Sequence, residues 1–105
     1  MTVDQLIRAA LPELVALLDQ AFAAVGHAPA KGSALDQAGF LNGAEIVEDF
    51  LVHGEPGLAL EHLIYMVYEP DLPISTHTYD LIVQAGELMG MDSTTWERIN
   101  PTRPE

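Results

Sequence analysis

The chain has 105 residues, 49% of them apolar, a net charge of −12 and no cysteine. This suits a single domain with a modest core and is too apolar for a disordered chain, while disulfides, thiolate metal sites and thiol nucleophiles are excluded. So lopsided an acidic balance disfavours DNA, RNA and anionic membranes as direct partners, since each is bound by Lys and Arg set against phosphate.

Apolar residues recur at i, i+3 and i+4 along most of the chain, and alternating β-branched runs are missing, so every element is read as helical. The first helix opens on Thr2-Val3-Asp4-Gln5. A Thr N-cap with Gln three places on is a capping box, in which each side chain satisfies the other residue's backbone N–H. Leu6, Ile7, Ala10, Leu14, Leu17, Leu18 and Phe22 follow as its apolar stripe. Pro12 lacks an N–H and crowds the carbonyl four residues back, which predicts a break near Leu11 and a second segment from Pro12 to Val25, stopped by Gly26.

Residues 27–43, rich in Ala, Gly and Pro, read as a connector with a short helix capped by Ser33 and Asp36. A second helix starts at Asn42 with Glu45 and ends at Gly54. Its inner face is Ile46, Val47, Phe50 and Leu51, and Glu45, Glu48, Asp49 and His53 lie outside. Pro56 suits the first position of the central helix, with Glu55 at the positive end of its dipole. Pro70 pushes its predecessor out of α conformation, so this helix stops near Tyr68. Ser75 caps the next helix, whose expected inner face is Leu81, Ile82, Ala85, Leu88 and Met89. Gly86 inside it costs about 1 kcal/mol against alanine, which predicts close approach by a neighbour. Gly90 ends it, Asp92 or Ser93 caps a last turn with Trp96 and Ile99, and "NPTRPE" is a frayed tail. The expected fold is all-α, one compact bundle of four to five helices.

From Gly32 to Glu97 there is no Lys or Arg, against a run of Asp and Glu. The central helix places Leu60, Leu63, Ile64 and Val67 inward and Gly57, Glu61, Tyr65 and Tyr68 outward, with Glu69 and Asp71 beyond its end. Tyr and carboxylate on one stripe fit a protein contact surface: Tyr gives area at low entropy cost, and carboxylates meet Arg or Lys. Half-buried packing with wet hydroxyls explains the tyrosines equally well. Glu45, Glu48 and Asp49 extend the candidate patch. Of His27, His53, His62 and His77, His53 shares a face with Asp49 at i−4 and His62 adjoins Glu61, but no third ligand is fixed, so no metal or cofactor is assigned. There is neither a nucleophile elbow nor a phosphate-binding glycine loop, and the chain reads as a binder, not an enzyme. With no basic-apolar leader and no span of about 18 apolar residues, a cytoplasmic protein is expected.

"HGEPGLALEHLIYMVYEPDLPIS", followed by "YDLIVQAGELMGMD" and Trp96, resembles the MafI-type immunity proteins, small antidotes to secreted polymorphic toxins of bacterial competition. The resemblance covers residues 44–98. It rests on Gly54, Glu55, Gly57, Leu58, Ala59, Leu60, Glu61, Tyr65, Met89, Gly90, Met91, Asp92 and Trp96. It implies a cognate toxin domain, nuclease-type and therefore basic, held by the acidic helical surface, with Gly54, Gly57 and Gly90 structural. The other class of reading is a small regulatory or scaffolding subunit that docks on a housekeeping protein. The exposed tyrosines would serve a homodimer as readily.

Overall fold

The computed structural model describes residues 1–24 and 43–99. Five helices lie among them: α1 (Val3–Ala24), α2 (Gly43–Val52), α3 (Pro56–Tyr68), α4 (Thr76–Leu88) and the short α5 (Thr94–Glu97). The fold is an all-α bundle. The ends proposed at Val25 and Gly26, the connector helix, the Asn42 start, His27 and the tail from residue 100 lie outside the described residues.

α1 packs chiefly on α4, and α2 packs on α3 as a helical hairpin. α3 touches all four other helices and is the central element. Its Ala59, Leu60, Leu63, Ile64 and Met66 have no solvent exposure. Leu6, Ile7, Leu14 and Leu18 close over the core from α1, Val47 from α2, and Ile82 and Ala85 from α4.

The capping box forms as expected. The Thr2 N–H donates to Gln5 Oε1 at 2.8 Å, and the Gln5 N–H donates to Thr2 Oγ1 at 3.1 Å. The break at Pro12 does not. α1 runs unbroken through it. Pro12 and Arg8, whose carbonyl loses its usual partner, are both exposed, so the gap in the ladder falls on the solvent side of the helix. Ala10, Leu11 and Leu14 stay buried on either side of the proline, holding the helix to one course.

Three helices end in the same wrap, with one N–H reaching the carbonyl five residues back and another reaching three back. Glu55 and Gly54 donate to Phe50 and Leu51, Leu72 and Asp71 to Val67 and Tyr68, and Met91 and Gly90 to Gly86 and Glu87. Such a wrap needs a left-handed residue, which is glycine at Gly54 (φ 73°) and Gly90 (φ 70°) but aspartate at Asp71 (φ 53°). α3 therefore stops at Tyr68 by a route other than the expected one. Glu69, before Pro70, remains right-handed helical (φ −59°, ψ −48°), and the chain turns at Asp71.

The segment after the turn is part of the core, with Leu72 and Ile74 buried. Ser75 caps α4, its hydroxyl accepting from the Thr78 N–H at 3.2 Å. The Ser75 N–H in turn donates to Glu13 Oε2 at 2.8 Å, pinning the start of α4 to α1. The inner face of α4 is corrected at two positions: Leu88 is 63% exposed, and Thr78 is buried in its stead. Asp92 caps the last turn by accepting from the Thr94 N–H at 3.0 Å, a bond that holds its carboxyl below the usual range. Gly86 meets the neighbour its position predicted, the ring of Trp96. Gly57 shows no such need: it lies in the first turn of α3, with open space where a side chain would stand.

Candidate functional site

The eight residues of the expected contact patch divide between two hollows and the outer stripe of α3. On α2, Glu45 and Asp49 are exposed one turn apart and flank a shallow hollow of about 300 Å³ with Ile46 and Phe50. Glu48, one residue away, is committed elsewhere. Arg8 Nε of α1 donates to Glu48 Oε1 at 2.6 Å and to Oε2 at 3.1 Å. Both side chains are close to half exposed, so water screens this pair and it adds little to stability. Arg8 does offset the charge that Glu48 presents to a partner.

The second hollow, about 440 Å³, lies at the C-terminal end of α3. The nearly buried Val67, Leu72 and Ile99 close its base, and Tyr68, Glu69, Asp71 and Arg98 form its mainly polar walls. The Arg98 guanidinium carbon lies 4.8 Å from the centre of the Tyr68 ring, a cation–π contact. Sequence reasoning found Tyr68, Glu69 and Asp71 but not Arg98. No local signal marks Arg98, because it reaches the ring from beyond α5.

Glu61 is exposed on the outer stripe of α3, and Tyr65 is half-buried against the core. The Tyr65 ring lies 6.1 Å from that of His62. Nε2 of His62 is sealed from solvent without a hydrogen-bond partner. Burial pushes the His62 pKa below its ordinary value of 6.5, because the charged form loses its hydration there. The unfolded chain then binds the proton more readily than the folded one, so His62 favours the fold above pH 6.5. That contribution drains away as pH falls through the lower folded value. Thermal melts at pH 7.5 and pH 5 are expected to show a smaller acid-side loss in His62→Gln than in the unaltered protein. An equal loss in both would place the acid sensitivity elsewhere.

His53 Nδ1 lies 2.7 Å from the Asp49 carbonyl oxygen and 3.4 Å from Asp49 Oδ1. Among the described residues, no group of three His, Asp or Glu stands close enough to hold a metal ion. No helix among them is long and apolar enough to cross a membrane.

Exposed carboxylates are not confined to these hollows. Asp19 on α1, Asp80 and Glu87 on α4 and Glu97 on α5 are exposed as well. Of the 16 Asp and Glu residues, all but Asp36 and Glu105 fall in the described residues, whereas of the 4 Lys and Arg only Arg8 and Arg98 do. Both arginines are engaged within the molecule, on Glu48 and on Tyr68. The described surface is thus predominantly anionic, and a further hollow of about 400 Å³ lies between α1 and α4, lined by Met1, Leu6, Gln84, Glu87 and Leu88. Comparison of the chain with family models, with curated proteins and with solved structures finds no match.

Proposed function

We propose that this protein is a non-enzymatic immunity protein that binds and neutralises a cognate toxin domain with a basic surface, acting in the cytoplasm. The observation that carries the reading is the grouping of Tyr68, Glu69 and Asp71 around one hollow of a strongly acidic molecule; the other carboxylates are spread over every described helix and mark no single face. Such a surface attracts a cationic protein and repels nucleic acid. Complementary charge of this kind raises encounter rates and rejects wrong partners more than it adds affinity. The affinity would come from a desolvated centre, for which Tyr68 and the hollow beside it offer an aromatic anchor. A nuclease-type toxin fits, since a site built to hold phosphate is basic, and the resemblance of residues 44–98 to the MafI-type immunity proteins points the same way.

The test is co-expression with a toxin domain encoded beside this gene, followed by co-purification and an assay of toxin activity. Neutralisation in a stable complex is expected, and a toxin that stays active and separate refutes the reading. Within such a complex, the double reversal Glu45→Lys with Asp49→Lys is expected to slow association about tenfold at low salt and to flatten its salt dependence. These two positions are preferred to Glu48, whose reversal would also break the Arg8 pair. Association rates unmoved by the reversal would remove electrostatic steering from α2.

A further inference from the structure

The hollow beside Tyr68 has a resident cation that leaves its carboxylates unused. Arg98 lies over the Tyr68 ring, yet among the described residues it forms no ion pair with Glu69 or Asp71 within 4 Å. Two carboxylates and one guanidinium leave the hollow net negative. At about 440 Å³ it lies toward the small end of the range for binding clefts, roughly 300–1,000 Å³. Val67, Leu72 and Ile99 close its base but are almost wholly buried, so the surface it offers is mainly polar, with the exposed Tyr68 ring as its aromatic face. Asp71 is fixed at the rim by the left-handed turn that ends α3.

We propose that this hollow receives an arginine side chain of a protein partner, and that Arg98 is the internal competitor the incoming guanidinium displaces from Tyr68. A planar guanidinium satisfies both features at once, stacking on the ring while its N–H fork meets a carboxylate. Lysine brings a strongly hydrated point charge that does neither as well. Arg98 itself shows that the ring accepts a guanidinium. The proposal deepens the immunity reading by naming the side chain the partner inserts, and it rests on that reading for the partner's identity alone.

The competition fixes a sign. A cation–π contact at an exposed site contributes about 0.5–1 kcal/mol, and its removal frees the ring and takes a like charge away. Arg98→Gln is therefore expected to bind an arginine probe about two- to five-fold more tightly. The full chain would be titrated at low salt with acetyl-Gly-Arg-Gly-amide and with its lysine counterpart, followed by amide chemical shifts. The arginine peptide is expected to move the signals of residues 67–72 and 98, and to do so at lower concentration than the lysine peptide. Tyr68→Leu and Asp71→Asn should each weaken the response, and asparagine tolerates the left-handed turn at that position. Amide dispersion verifies the fold of each variant. Equal binding by Arg98→Gln and the unaltered protein, weaker binding by Arg98→Gln, or equal response to both peptides overturns the proposal. Toxin neutralisation without an arginine response removes this site and leaves the immunity reading standing. The reverse outcome keeps the site and removes that reading.

Discussion

Leu63→Ala is expected to lower the stability of the protein by about 2–5 kcal/mol. Leu63 has no solvent exposure and lies in the middle of α3, the helix that meets all the others. Truncation there forfeits the transfer energy of the removed carbons and leaves a cavity that α1, α2 and α4 would all have to move to fill. Domains of this size are typically stable by about 5–15 kcal/mol, so the loss is a large fraction of the whole. Urea denaturation followed by circular dichroism measures it, the midpoint falling while the slope stays constant. A loss under about 1 kcal/mol would mean that the centre of the bundle relaxes freely, and that the packing around α3 is looser than the burial of its residues implies.

Alanine at Gly86 is expected to destabilise although alanine is the better helix former. In an open helix the exchange gains about 1 kcal/mol. Here the added carbon would stand 2.7 Å from Cε3 of Trp96, a separation that real side chains essentially never show. The obstacle is a rigid indole that is itself buried, so the ring and the α5 turn carrying it must lift. Overpacking of this kind costs about 1–3 kcal/mol, so the propensity gain leaves a net loss of up to about 2 kcal/mol. The decisive measurement is a double-mutant cycle. With Trp96→Ala already in place, a change that alone costs about 3–5 kcal/mol, Gly86→Ala should reverse sign and stabilise by about 1 kcal/mol. A penalty that persists in that background would locate the conflict away from the indole. Trp96 is the single tryptophan, so its emission reports the displacement directly.

These two sites also show what the sequence made legible. Helical period, capping chemistry and the glycine stops are local, and local signals read well: the capping box at Thr2 and Gln5, the cap at Ser75, and the turns at Gly54 and Gly90. Gly86 was legible too, because a glycine inside a helix has few uses besides making room. Pro12 misled, since its penalty depends on which face it occupies, and here it lies on the solvent side of a helix whose buried face holds it to one course. Leu88 misled because it is the last residue of its helix, where it stands 63% exposed while Met89 beside it packs against the core. For the contact surface the chemistry was readable and the grouping was not. Nothing near Glu48 in the chain announces Arg8, forty positions away, and nothing near Tyr68 announces Arg98.

The hydrogen bond from Ser75 to Glu13 has a consequence for the order of assembly. It joins residues 62 positions apart, on the seam where α1 lies along α4. The hairpin of α2 and α3 closes over a three-residue corner, and its contacts form at little loop entropy. The seam must wait for the chain between to be gathered in, because distant contacts return nothing until that entropy has been spent. The hairpin is thus expected to close before the seam that joins α1 to α4.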